Sequence, residues 1–246
     1  MSATFVLVHG AWHGGWCWRQ VAQALRTAGH EVHTPTLTGL GERSHLLTNA
    51  VDLDLHVRDI LAVLEYEQLH DVHLVGHSYG SLPATLAAVR APGRIRQLIC
   101  LDGFVPETGE SAIELLPDQA AAHYRDSVVE QDGVRVIPPR PLERLGVTDQ
   151  AAIRWLEARL VPQPLTTYLQ PVRSGASQLR VPGLYLQCSG WPSPFDHMVS
   201  RAAALGWRTD RLHGDHEIMA TDPGLLVDAL LAQRHEPMAT SARGMR

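Results

Sequence analysis

Apolar positions along the chain keep two alternating rhythms. Short continuous runs of the kind expected of strands buried on both faces alternate with stretches whose apolar residues recur every three or four positions, the spacing of an amphipathic helix. Thr4 to Val8 is the first buried run, and the glycine-rich segment His9-Gly10-Ala11-Trp12-His13-Gly14-Gly15 follows it. Trp16 to Ala28 carries Val21, Ala24, Leu25 and Ala28 at helical spacing and stops at Gly29, a natural C-terminal cap. His30 to Thr34 reads as a second strand and Thr36 to Leu47 as a breaker-rich loop, while Leu53, Val57, Ile60, Leu61 and Leu64 mark one face of a helix. Val72 to Val75 is the next strand, and Ser81 to Ala88 a helix ending near Pro92-Gly93. Ile95 to Leu101 is a further strand closed by Asp102.

From about Pro106 to Arg180 the rhythm changes to short apolar segments broken by prolines, which predicts a small helical lid inserted into the core. The alternation resumes with a strand over Val181 to Gln187, a helix from Phe195 to Leu205, a strand from Trp207 to Leu212 and a closing helix from Pro223 to Gln233. The expected organisation is a core over residues 1–106 and 181–233, a lid over 107–180 and a flexible tail over 234–246, with no internal repeat. Regular alternation of strand and helix predicts a mostly parallel central sheet with helices on both faces. Reactive groups in such sheets gather at the carboxyl ends of the strands.

The residues at those ends are chemically distinctive. Gly76-His77-Ser78-Tyr79-Gly80 puts a serine where a strand turns into a helix, the setting of a nucleophile elbow, with glycines where the sharp turn leaves no room for a Cβ. The loop after the first strand is placed to supply an oxyanion hole, in which backbone N–H groups hold the charge that develops on a carbonyl oxygen. The expected donors are Ala11 or Trp12, together with Tyr79. The base is expected at His216, in the loop after the Trp207–Leu212 run; His213 is its competitor but still lies at the strand end. The acid is expected at Asp102, at its strand end; the alternative is Asp196, whose other reading is a helix cap. Trp12, Tyr79, Phe104, Trp155, Leu156, Tyr168, Trp191 and Met219 are candidates for an apolar pocket under the lid.

Composition removes other chemistries. The net charge is −5, with no basic block, which argues against nucleic acid and anionic membranes as partners. All 21 basic residues are arginine, so Schiff-base and Ser-Lys mechanisms are excluded, and the Arg and Ala bias hints at a GC-rich bacterial genome. Cys17, Cys100 and Cys188 are scattered, and the His9/His13 and His73/His77 pairs do not sit on helices, so no metal and no cofactor are expected. The first strand begins by Thr4 and no apolar run approaches the ~18 residues of a membrane span, which points to a cytoplasmic protein; a monomer and a homodimer both stay open.

With these residues in place the chain resembles the α/β-hydrolase superfamily over nearly its whole length, starting at what would be the third strand of the full fold. The run Leu7-Val8-His9-Gly10-Ala11-Trp12-His13-Gly14-Gly15-Trp16 is similar to the small esterase branch that includes plant methylesterases and hydroxynitrile lyases. Lyases of that branch carry threonine where this chain has Gly10 and lysine where it has Glu217, so the resemblance implies ester hydrolysis. The branch keeps its acid after the strand matching Leu184 to Gln187, where Cys188-Ser189-Gly190-Trp191 offers no carboxylate; haloalkane dehalogenases carry theirs at the position of Asp102. The expected activity is cleavage of a small hydrophobic or aromatic carboxylic ester through an acyl-enzyme. Thioesterase, lyase or cyclase chemistry on a biosynthetic metabolite, or ligand binding with little turnover, are the alternatives.

Overall fold

A computed structural model describes residues 2–233, so the expected tail at 234–246 lies outside the described residues. Six strands form one parallel sheet in the order β2-β1-β3-β4-β8-β9 among these residues. Its strands are β1 (Thr4–Val8), β2 (Glu31–His33), β3 (Val72–His77), β4 (Ile95–Leu101), β8 (Gly183–Cys188) and β9 (Arg208–Leu212). In β3 and β8 every residue is buried, the signature of strands covered on both faces and the reason their sequences read as continuous apolar runs. The reversal in strand order falls between β1 and β3, which places a crevice at the carboxyl ends of those two strands.

The helices that cover the sheet carry local signals that explain their limits. Helix α1 (Arg19–Thr27) is preceded by a single tight helical turn and followed by Gly29 at φ +84°, where a side chain would be strained. Helix α2 (Leu53–Tyr66) is capped by Asp52, which accepts from Leu55 N at 2.7 Å. Helix α3 (Ser81–Arg90) follows the Ser78 turn directly and is buried along most of its length.

Between β4 and β8 the chain differs from the all-helical insertion that the prolines imply. Besides α4 (Asp118–Asp126), α5 (Gln150–Glu157) and the short α6 (Thr166–Leu169), it holds an antiparallel three-stranded sheet of β5 (Val129–Gln131), β6 (Val134–Ile137) and β7 (Gln163–Pro164). The cause is local: Asp132 and Gly133 both adopt positive φ, +50° and +76°, the turn that a two-residue hairpin loop demands. After β8, the helices α7 (Asp196–Ala204), α8 (Ile218–Thr221) and α9 (Pro223–Ala232) complete the core, the last capped by Asp222 with proline at its first position.

Candidate active site

Ser78 sits at the tip of the turn from β3 into α3 with φ +51°, a left-handed conformation that costs a non-glycine residue about 1–3 kcal/mol. The flanking glycines make the turn sterically feasible. A Cβ on Gly76 would meet Ser81 Cα at 2.6 Å, and one on Gly80 would meet His9 O at 2.4 Å. Trp12 and Asp102 share the positive φ, at +69° and +42°, so three of the six such non-glycine residues among the described residues belong to this one region; of the others, Gln68, Asp71 and Asp132, the two aspartates are of a type that turns accommodate.

The loop after β1 borders the serine directly, since a Cβ on Gly10 would lie 3.1 Å from Ser78 Cβ and 2.9 Å from His77 Nδ1. Two histidines set its peptide planes. His9 Nδ1 donates to Gly10 O at 2.8 Å while its Nε2 accepts from Leu37 N at 3.0 Å, so the ring is a fixed neutral tautomer; burial holds its pKa down at about 3. In a trans peptide C=O and N–H point opposite ways, so pinning the Gly10 carbonyl also fixes the direction of the Ala11 N–H. The next peptide is held at both ends: His13 Nδ1 donates to Ala11 O at 2.6 Å, and Trp12 N donates to Gln163 Oε1 at 3.3 Å. Of the two expected oxyanion donors, Ala11 is therefore favoured over Trp12, whose N–H already has an acceptor.

His216 Nδ1 donates to Asp102 Oδ2 at 2.7 Å, and both side chains are buried. That bond leaves Nε2 as the ring's basic nitrogen. Asp102 Oδ2 also accepts from Trp191 Nε1 at 2.9 Å, while Oδ1 faces Cys188 N at 3.3 Å and Ser193 Oγ at 3.4 Å. Four donors converge on one carboxylate, which suits an ionised acid in a buried position. One of them, Cys188 N, closes β8 and two, Trp191 and Ser193, come from the loop after it, so that strand end and loop hold the aspartate of the neighbouring strand although they have no carboxylate of their own. Asp196, the rival acid, instead accepts from Gln187 Nε2 at 2.7 Å and stands exposed at the start of α7. His213 is also exposed and joins none of these contacts.

A second histidine touches the array. His77 Nε2 donates to His216 O at 2.9 Å, and the two rings lie 4.6 Å apart; burial keeps the His77 pKa well below the usual histidine value, so it acts as a neutral donor. The inserted segment supports the same loop, for His216 N donates to Leu145 O at 3.0 Å.

Of the pocket candidates, Trp12 and Tyr168 belong to a run of stacked rings. Trp12 stacks on Tyr124, Tyr124 on Tyr168 and Tyr168 on Tyr79, with centroids 6.1, 5.2 and 5.4 Å apart. Tyr124 completes this run and went unrecognised in the sequence, where α4 offers only a weak apolar face. Phe104 packs edge-on to Tyr168 and to Phe195, whose ring stacks on His216. The Tyr79 side chain departs from the expected pocket role: its hydroxyl bonds His56 Nδ1 at 2.8 Å in the protein interior, because the elbow turns the residue after Ser78 back toward α2. Trp191 is engaged by Asp102. Trp155 packs on Trp16 and beside the Arg159 guanidinium, and Leu156 and Met219 are fully buried packing residues.

Comparisons with known proteins place this geometry. The sequence model of the Alpha/beta hydrolase family matches residues 5–241. A carbendazim hydrolyzing esterase from Nocardioides sp. (strain SG-4G) is 40% identical over 241 residues, covering 94% of this chain and 99% of that protein. Methylesterase 9 of Arabidopsis thaliana is 38% identical over 105 residues, 42% of this chain and 41% of its own length. Among solved structures, an extracellular alpha/beta-hydrolase from a Paenibacillus species superimposes with a TM-score of 0.82 at 23% identity, covering 95% of this chain and 100% of that one.

Proposed function

The chain belongs to the alpha/beta hydrolase family, and from that premise we propose that it is an esterase in which Ser78, His216 and Asp102 serve as nucleophile, base and acid. The observation that carries the reading is the convergence of a strained serine and a buried histidine–aspartate pair beside the glycine loop. In this mechanism His216 Nε2 takes the proton of Ser78 Oγ as that oxygen attacks the ester carbonyl. The tetrahedral oxyanion is held by the N–H groups of Ala11 and Tyr79. Collapse expels the alcohol, to which His216 returns the proton, and water activated by the same nitrogen then hydrolyses the acyl-enzyme. Asp102 keeps the imidazole in the required tautomer and stabilises the imidazolium.

The substrate we assign is a compact hydrophobic or aromatic carboxylic ester. Support comes from the ring stack Trp12-Tyr124-Tyr168, together with Phe104 and Phe195, and from the relatives, named for hydrolysis of carbendazim and for methylesterase activity. Ser78 is only 7% exposed, so residues 107–180 act in this reading as a lid that opens to admit substrate. No helix of the described residues is long and apolar enough to cross a membrane; a cytoplasmic, bacterial setting belongs to the proposal. The test is turnover of aryl and alkyl methyl esters by wild type and Ser78→Ala. Loss of turnover in a folded variant is the expected result, whereas saturable ligand binding with no hydrolysis by either protein would favour a binding role.

A further inference from the structure

His13 and Glu217 are 2% and 1% exposed and take no part in the Ser78–His216–Asp102 array, yet each is joined to one half of it. His13 Nε2 lies 3.1 Å from Glu217 Oε2, off the line of an ideal hydrogen bond, and His13 Nδ1 donates to the Ala11 carbonyl at 2.6 Å. Both ring nitrogens thus face oxygen atoms, an arrangement that a doubly protonated imidazolium beside an ionised carboxylate satisfies. Glu217 directly follows His216, and its N–H donates to Asp215 Oδ1 at 2.8 Å, so the carboxylate belongs to a folded loop and not to a free chain end. One end of the pair therefore fixes the carbonyl of Ala11, and the other is the residue next to the base.

The two charges are obligate partners. An isolated buried charge costs several kcal/mol, so removing either leaves the other strongly disfavoured. Burial alone would push the Glu217 carboxyl up, but the His13 cation holds it down at about 2; burial likewise pulls His13 down, and Glu217 reverses this to raise it. The other titratable groups near the pair are His9, Cys17, His77, Cys188, His216 and Asp215. Burial keeps His9 and His77 neutral and the Cys17 and Cys188 thiols protonated, so none of these four can replace His13 as counter-charge.

We propose that His13 and Glu217 are positioning residues forming a buried ionic strut that holds the oxyanion loop and the His216 loop at a fixed separation. The role rests on the esterase reading above, since it concerns alignment of the oxyanion donor with the base.

The test uses the full-length protein and its Glu217→Gln, His13→Gln and double variants, with p-nitrophenyl butyrate as substrate and active sites counted by fluorophosphonate titration. Each single variant is expected to lower kcat per titrated site by ~10–100-fold with KM changed less than ~3-fold, and to weaken a phenylboronic acid inhibitor in step. The double variant, whose two amides can meet without a charge, should be no worse than the poorer single. Histidine ¹⁵N NMR of the wild type should show one ring that stays doubly protonated above the ordinary histidine range, and this ring should be absent in His13→Gln. Single effects that multiply in the double variant, or a lower melting temperature with unchanged kcat per site, would overturn the positioning role. A neutral His13 ring would overturn the strut while the esterase reading stands. Absence of any Ser78 adduct in wild type would overturn that reading, and the positioning role with it, while the doubly protonated ring persisted.

Discussion

Asp102→Asn is the substitution whose consequence is best specified by geometry. All four groups around this carboxylate are donors: His216 Nδ1 and Trp191 Nε1 on Oδ2, Cys188 N and Ser193 Oγ on Oδ1. An amide supplies one acceptor and one NH₂ donor, so in either orientation its NH₂ meets donors. If the NH₂ faces the Oδ2 side, His216 is driven to the tautomer that accepts at Nδ1 and carries its proton on Nε2, where it cannot act as base. If it faces the Oδ1 side, the Cys188 N–H is stranded. In both cases the imidazolium loses its counter-charge. A charge-assisted bond of about 1.5–3 kcal/mol is lost, and with the tautomer cost the barrier should rise by about 4–5 kcal/mol, or ~10³–10⁴-fold in kcat. The assay is kcat and KM for p-nitrophenyl butyrate, normalised to folded protein by circular dichroism. Asp196→Asn is the companion, expected within about threefold of wild type because it removes only an exposed contact with Gln187. An Asp102→Asn enzyme within tenfold of wild type, or an Asp196→Asn enzyme as impaired as that expected for Asp102→Asn, would refute the assignment of the acid.

Other consequences follow from neighbouring contacts. Trp191→Phe removes one of the two donors on Asp102 Oδ2 and so one of the bonds that hold the carboxylate in place; kcat should fall by about 3–10-fold with KM little changed, and an unchanged kcat would contradict the role given to the indole. Gly80→Ala puts a methyl 2.4 Å from His9 O, a backbone atom that cannot move cheaply, so soluble yield or melting temperature should fall sharply; a wild-type melting curve would show that the elbow is looser than described. Buried His9 and His56, with pKa values lowered to about 3 and about 4, and His77, lowered well below the ordinary value, stay neutral in the fold while the unfolded chain takes up protons below about pH 6.5. The folded state then binds fewer protons, so stability should fall as pH drops from about 6.5 toward 4, with about three protons taken up on unfolding near pH 5. Denaturant titrations across this range would measure the slope, and a flat profile would contradict neutral burial. Glu217 has the depressed pKa of a paired acid, so its contribution is present above its ordinary value near 4.5 and is lost only as pH falls through about 2.

How much of this was legible in the sequence depended on whether a signal was local. The strands of the parallel sheet were, because burial on both faces writes a continuous apolar run into β3 and β8. The elbow was also legible, since its glycines are dictated by steric contact within a few residues. The inserted sheet had a local signal too, the Asp132-Gly133 turn between Val-rich flanks, which the surrounding prolines obscured. The sequence favoured Asp102 over Asp196 from its place at a strand end, but the contacts that bear on that choice, donors from Trp191, Cys188 and Ser193, lie far along the chain from Asp102 and left no local signal. The same holds for the choice of Ala11 over Trp12, which turns on Gln163, and for the His13–Glu217 pair. Tyr79 shows the converse limit: its backbone place was readable from the motif, whereas its side chain followed a hydrogen bond to His56 on a separate helix.

The most direct measurement of the central claim is mass-resolved labelling with a fluorophosphonate, applied to wild type, Ser78→Ala and His216→Ala. A serine activated by His216 predicts a single adduct mapped to Ser78 in wild type, none in Ser78→Ala, and labelling slowed by orders of magnitude in His216→Ala. An unlabelled wild type, or an adduct that persists on another residue in Ser78→Ala, would contradict the claim that Ser78 is the nucleophile of this hydrolase.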